Sequence, residues 1–450
     1  MPKPGYLPGE KGPIPRVPIF SMEEVASYII FREGELTKAK NGQTGLIDFS
    51  GTDASTVIQS AINALTSGGK IFIKAGTYLI TSEILLPSNL NIEGEGRSLY
   101  SATTVGGTIL ELGYDGNIFK NKDNPTIATR IARLTINGKR ATRTLGTGIY
   151  GKFRTCLFED LHIYDMDESG IIIEDTANAV ACWDNRLVNC DINWVDEYCV
   201  KCGTRGTDLV IIGGTLEQAG LADLYFQGVG GHFLTGVVFV AGQYCILSEG
   251  GGFKALGCDL EAAGKHNVYL KALSGVKMET VSILGGTCVG AGTEASNTYS
   301  GIYIEGFGAN DDENARNIIV EGVYFNSAGI TKYCVEVAHG GVEIYERDIT
   351  VVGNDMRWGY VTAGMNAIPP SSHIHYNDGF VTENSGTATA VPDVDTEIAH
   401  AMDIEPTFVT LTPLAVGVEG YAQLVTKSAT SITIRANVSG VDVAWKGETV

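Results

Sequence analysis

The chain has 450 residues, with 57 glycines against 13 prolines, 44% hydrophobic and 19% charged residues. This balance excludes disordered and collagen-like classes and points to a turn-rich β protein. Its 52 acidic and 32 basic residues give a net charge of -20. That argues against a nucleic-acid partner, which requires clustered positive charge, and it opposes strongly anionic glycans.

No apolar stretch approaches the roughly 18 to 20 residues needed to cross a bilayer, so no membrane insertion is expected. The opening run MPKPGYLPGEKGPIPRVPIF lacks the apolar core of a secretory signal. An extracellular protein of this kind would leave its cell within an assembled particle, by lysis or by a signal-independent route. Nine cysteines, an odd count in a long chain, do not form a small-domain disulfide framework. Cys199 and Cys202 form a lone C-x-x-C without a second pair, so the thiols read as buried apolar filler.

In chain order, residues 1–47 read as an attachment segment, with a short helix in SMEEVASYIIF capped by Ser21 and Glu24. From Asp48 the text changes. TDASTVIQSAINALTSGG places Val57, Ile58, Ala61, Ile62 and Leu65 on one helical face, opened by Asp53 or Ser55 and closed by Gly68-Gly69. KIFIKAGTYLI then alternates as strand, turns at Ala75-Gly76 and continues as strand.

The segment from Thr52 to Ile80 resembles the N-terminal cap of pectate-lyase-like right-handed parallel β-helices, which include polysaccharide-degrading enzymes and viral tailspikes. LNIEGEG from Leu90 and RIARLTINGK from Arg130 resemble early coils of the same superfamily. The resemblance implies an all-β solenoid with a helical cap. It leaves the reaction open, because the superfamily holds hydrolases, lyases, epimerases and non-catalytic adhesins.

The residues carry a repeat of their own. Gly220, Gly242, Gly264 and Gly286 are evenly spaced, and Leu216, Val238 and Leu260 keep the same interval, a period of roughly 22 residues. Such a period fits one coil with short strands such as LYFQG, CILSEG, VYLKA and IYIEG. The helix is expected over 48–375, a linker over 376–396 and a small β-sandwich over 397–450. The last resembles the terminal modules of viral tail fibres, which trimerise the shaft or touch the target.

Ungapped stacking of the coils places Glu217, Phe239 and Glu261 on one outward ladder, beside the inward Leu216, Val238 and Leu260. Two coils separate the glutamates by roughly 9.6 Å, near the top of the roughly 6.5 to 9.5 Å window for an inverting glycosidase pair. Phe239 would offer a sugar-stacking face between them, and Asp259 and Asp196 add carboxylates nearby. A second acidic group, Asp165, Asp167 and Glu168 with Asp196 and Glu197, reads as a solvated turn, a carboxylate pair or a calcium site, since calcium suits hard oxygen ligands. No cofactor is otherwise implied.

Elimination needs a base and a cation beside a uronate carboxylate. Lys265 and His266, in a turn after Glu261, with Lys201 and Arg205 earlier, are the basic candidates, and His266 is otherwise an exposed turn histidine. Gly230-Gly231-His232 lacks the second glycine of the polygalacturonase Gly-His-Gly.

The reading is a homotrimeric, tailspike-like protein of a virion or cell surface, joined to other appendage proteins through its N-terminus. It would bind and degrade a cell-surface polysaccharide, by hydrolysis ahead of elimination. The alternative is a receptor-binding adhesin of the same fold.

Overall fold

The computed structural model describes residues 26–98, 106–174, 181–228, 230–273, 278–306, 315–338, 347–366, 373–380, 383–390, 395–399, 402, 408–413, 422–428, 431–436 and 441–448. Ser21 and Glu24 lie outside these residues. The remainder of the expected first helix is a strand: Tyr28–Glu33 forms an antiparallel hairpin with Leu36–Asn41 and pairs in parallel with Gly69–Ile73. Alternation decides this, since Tyr28 and Ile30 face the core while Ile29 and Phe31 do not.

The cap helix spans Ala54–Asn63, with the Asp53 carboxylate accepting from the Ser55 amide at 3.1 Å and the Thr56 amide at 3.3 Å. This is the bond an N-cap side chain makes to an otherwise unpaired first-turn amide. Val57, Ile58, Ala61 and Ile62 are buried as their spacing requires. The helix stops at Ala64, before the two glycines. Gly68 instead adopts φ +85 where a Cβ would lie 2.4 Å from the Asn89 carbonyl oxygen. It thereby permits the first coil to close on the second.

Downstream the chain winds as a parallel β-helix. Each coil gives its first and second strands to one continuous 24-stranded sheet and its third to an 11-stranded sheet. Backbone pairing fixes the inward columns. Ile92, Ile131, Phe158, Leu187, Ile211 and Leu234 stack on the first strand. Ile136, Ile163, Ile192, Leu216, Phe239 and Leu260 stack on the second. Ile149, Ile171, Val200, Leu224 and Ile246 stack on the third. All these side chains belong to one apolar core.

Coil length is uneven: the path from Leu234 to its stacked partner Ala255 is much shorter than that from Ile283 to Val320. The even glycine spacing is therefore local. Gly220, Gly242 and Gly264 share a corner, whereas Gly286 lies at another, packed on Cys258. A different column recurs in the left-handed region at each bend between the first and second strands: Arg133, Asp160, Asn189, then Gly213, Gly236, Gly257, Gly285, Gly322 and Gly353.

Beyond the coils, Glu383–Ala390, expected within a linker, pairs antiparallel with Val441–Glu448, which also pairs with Phe408–Pro413. Thr396–Ala399, Ser431–Ala436 and Ala422–Lys427 form a second three-stranded sheet. Ile432, Ile434, Val443 and Trp445, drawn from both sheets, form a separate buried cluster. Among the described residues no helix is long and apolar enough to cross a membrane.

Among the described residues, one buried polar side chain is a carboxylic acid. Asp223 is fully buried at a corner, with Cys199 one coil before it, Cys245 one after and Asn267 next. Asn267 satisfies that position: its Oδ1 accepts from the Ala263 amide at 3.3 Å and its Nδ2 donates to the Leu260 and Val289 carbonyls at 3.0 and 3.1 Å. Asp223 Oδ1 accepts from the Ala219 amide at 3.2 Å, while Oδ2 has no hydrogen-bond partner among the described residues. Burial raises the Asp223 pKa well above the ordinary carboxyl value, which favours the neutral acid.

A raised folded pKa contributes stability that is fully present below the unfolded value of about 3.9 and is lost as pH rises toward the folded value. Asp223→Asn is therefore expected to stabilise the protein at neutral pH by about 1–3 kcal/mol. Thermal unfolding between pH 4 and 8 checks this: the gain should grow with pH, and a variant less stable than the parent at pH 8 would refute the assignment.

Candidate functional site

The helix offers two chemically distinct outward faces on its second and third strands. The first is the predicted one, on the second strand of each coil. Asn193, Glu217, Val240 and Glu261 occupy one outward ladder, so the two glutamates do share a column two coils apart. Phe239 does not lie between them. The step from Leu216 to Phe239 is one residue longer than the repeat, which turns Phe239 into the core at 0% exposure and Val238 outward. A one-residue shift always exchanges the two faces of a strand. The predicted stacking ring is thus absent from this column.

Asp259 lies on the neighbouring outward column and accepts from the Thr287 hydroxyl at 2.9 Å. Glu217 accepts from Asn193 Nδ2 at 3.1 Å. One coil before Glu217, Asp191 pairs with Arg97 at 2.8 Å. One coil before that, His162 stacks on Tyr164, with its Nδ1 held 2.7 Å from the Ser98 carbonyl oxygen.

Asp196 sits past the bend, off the Glu217 ladder, where Arg140 Nη1 binds it at 3.0 Å and Arg140 Nε approaches Asp165 at 3.7 Å. Glu168 is occupied by the Gly146 amide and the Thr147 hydroxyl at 3.2 and 3.3 Å. Asp167 has its pKa raised, by burial first and then by Asp196. The acidic turn is tied together by an arginine, and among the described residues no group of three or more His, Cys, Asp or Glu side chains is placed to hold a metal ion. The geometry does not fit the calcium reading.

The second face belongs to the 11-stranded sheet, and of the residues expected to act Lys201, Lys265 and His266 fall on it. Its central outward column runs Lys201, Tyr225, Leu247, Tyr269, Tyr303 and Glu336. Tyr198 stacks on Tyr225 at 4.8 Å between ring centroids, and Tyr269 meets Tyr303 edge-on at 5.4 Å. Both are arrangements that aromatic pairs prefer. The first stack covers Tyr225, whereas Tyr269 and Tyr303 are half-buried. Beside them, Glu249, Lys271 and Glu305 lie at the ends of three successive strands. The Tyr225 hydroxyl donates to Glu249 at 2.5 Å, and the Tyr269 hydroxyl donates to Glu305. Burial, then the glutamate bond, pushes both phenols well above their ordinary pKa, so they remain donors across the physiological range.

The lysines here are paired: Lys201 with Glu174 at 2.9 Å, Lys271 with Glu249 at 3.4 Å and Lys332 with Glu336 at 3.5 Å. Lys265 bonds Gln243 at 3.0 Å and lies 5.6 Å from the Tyr244 ring centre. His266, expected in an exposed turn, is instead only 8% exposed and stacked on Tyr303 at 4.2 Å. Its Nδ1 lies 3.0 Å from the Ser300 amide and 3.2 Å from the Ser300 carbonyl oxygen. The shorter contact, in which the amide donates, assigns the ring proton to Nε2. Burial lowers the His266 pKa to about 4. His266 thus belongs to the aromatic floor, and Lys265 to its edge.

The signal for this face is present in LYFQG, CILSEG, VYLKA and IYIEG. In each, the residue flanked by two inward side chains is Tyr225, Leu247, Tyr269 or Tyr303.

No protein-family model and no curated protein matches the chain, whereas several solved structures do. A DFA-IIIase from Arthrobacter chlorophenolicus A6 aligns with a TM-score of 0.52 at 14% identity, over 73% of this chain and 91% of that one. The mannuronan C-5 epimerase AlgE6 A-module of Azotobacter vinelandii gives 0.48 at 16%, over 72% and 94%. The tailspike gp49 of Acinetobacter baumannii bacteriophage Fri1, a capsular polysaccharide depolymerase, gives 0.41 at 11%, over 88% and 82%. At such identities the likeness is one of architecture, and by architecture this chain is a parallel β-helix protein.

Proposed function

We propose that the protein binds an extended, predominantly neutral glycan along the tyrosine-lined face of the 11-stranded sheet and hydrolyses it there. The observation that carries this reading is the column of Tyr225, Tyr269 and Tyr303, interrupted at Leu247, with Glu249 and Glu305 beside it two coils apart. Ring faces stack on the apolar side of a pyranose, and carboxylates accept from its hydroxyls. Lys201, Lys271 and Lys332 are already committed to glutamates, which disfavours a uronate polymer and hence elimination.

Hydrolysis requires two carboxyl groups. Glu249 and Glu305 lie two coils apart on one column with Lys271 between them, a separation of roughly 9.6 Å from strand stacking alone. Glu217 and Glu261 offer the same spacing on the other face, with Val240 rather than a ring between them and Tyr164 two coils before Glu217. The setting that fits is a surface or virion appendage acting on a cell-surface polysaccharide, in line with the resemblance carried by Thr52 to Ile80. A non-catalytic adhesin is the second reading. It is favoured by the hydroxyl bonds that already occupy Glu249 and Glu305.

Affinity electrophoresis against neutral and uronate polysaccharides should show retardation by neutral ones, with Tyr269→Ala weakening it about tenfold, equivalent to about 1.4 kcal/mol. Reducing-end release should fall at least a hundredfold in Glu249→Gln or Glu305→Gln and stay near parental in Glu217→Gln and Glu261→Gln. The reverse pattern moves the chemistry to the predicted ladder, absorbance of unsaturated uronates identifies a lyase, and retardation without release identifies an adhesin.

The pH response follows from His266, whose folded pKa is depressed to about 4. A depressed value contributes stability at high pH that is lost progressively as pH falls from the unfolded pKa of about 6.5 through the folded one, while the folded ring stays neutral over most of that range. Glycan retardation should therefore be level from pH 8 to 5 and collapse below about 4.5, and a midpoint of about 6.5 would contradict the buried neutral ring.

A further inference from the structure

We infer that the outward face of the first strand in the central coils is where copies of this chain pack against one another. Strands alternate, so the residues flanking inward Leu187, Ile211, Leu234, Ala255 and Ile283 point away from the core. They include Val188, Val210, Ile212, Phe233, Leu256 and Leu284. Ile212, Phe233 and Leu256 are 44%, 38% and 47% exposed. Together they make an apolar stripe parallel to the helix axis, of a kind that a monomer seldom leaves open.

Charge selects the occupant. On a chain of net charge -20, like molecules repel wherever carboxylates meet. From Arg186 to Leu284 these outward columns hold no carboxylate and two cations, Lys254 and Arg186, the latter reaching Asp184 at 3.4 Å. Glu159 lies one coil before the stripe and Glu321 one coil after it. A second copy can approach along this stripe at the lowest electrostatic cost. A column that repeats in register along the axis also meets its own image when identical solenoids stand side by side.

The bend beside the stripe supports close approach. Gly213, Gly236, Gly257 and Gly285 follow Ile212, Thr235, Leu256 and Leu284, and a Cβ at any of the four would meet nothing within 4 Å. Their left-handed backbone alone does not demand glycine. The same column carries Arg133, Asp160 and Asn189 in earlier coils, and the bend after the second strand carries Asp165, Trp194, Gln218, Ala241 and Ala262 at φ 53 to 63. Glycine holds this bend along the whole stripe and continues past it at Gly322 and Gly353; along the stripe it clears the corner for a neighbouring surface.

Sedimentation equilibrium of the full chain tests this. The parent should have a mass that is an integral multiple, two or greater, of 47.8 kDa. Ile212→Glu with Leu256→Glu should sediment at 47.8 kDa with an unchanged far-ultraviolet spectrum. Gly257→Asn keeps a residue type that this bend already accepts at Asn189 and should weaken association at least tenfold without lowering the melting temperature of the dissociated chain. A monomeric parent, or an oligomer indifferent to both variants, overturns the inference. Neither result depends on glycan binding, so its failure is distinct from failure of the proposed function.

Discussion

The structure depends on the backbone hydrogen bonds that join each coil to the next in parallel register. They supply no chemistry of their own. Yet they carry every side chain at a given phase into a column along the axis, inward or outward, whatever the length of chain between successive strands. Burial of the inward columns then makes the register costly to change, because a slip of one residue exchanges core for surface. Leu216, Phe239 and Leu260 stay stacked although the intervals between them differ. Burying a ring such as that of Phe239 stabilises by about 1.5–3 kcal/mol relative to leaving it in water, enough to hold the stack across an extra residue.

The same constraint explains what is legible in the sequence. The first long helix can be read closely, its start narrowed to Asp53 or Ser55, because a helix face and its N-cap are local patterns, whereas its end at Ala64 falls short of the expected Gly68-Gly69. The solenoid can be read from strand-sized alternation. The register can be read only where coils keep nearly equal length, around Glu217 and Glu261. One extra residue before Phe239 breaks a ladder drawn by counting, and the length of chain from Val268 to Ile302 hides the relation between Tyr269 and Tyr303. His266 cannot be placed from its neighbours in sequence, since Tyr303, the ring stacked on it, belongs to the next coil.

The outward faces differ in what they have been given. The 11-stranded sheet carries rings and paired charges, the second strand carries carboxylates with few rings, and in the central coils the first strand carries aliphatic groups beside a glycine bend. These three chemistries share one scaffold because alternation uncouples the outward residue from the core that supports it. A carboxyl group inside that core is a different matter. Asp223 shows that such a group is admitted at a bend, where backbone amides are within reach.

All nine cysteines are buried, unbridged and placed within the apolar core. Burial pushes the thiols of Cys156, Cys190, Cys199, Cys202, Cys245, Cys258, Cys288 and Cys334 up, Cys190 and Cys288 to about 12, so thiolate, the form that reacts with oxidants and disulfides, is scarce there. Folding therefore draws nothing from the redox state of its surroundings. The same solenoid can be assembled in a reducing cytoplasm and persist in an oxidising exterior without rearranging a single covalent bond.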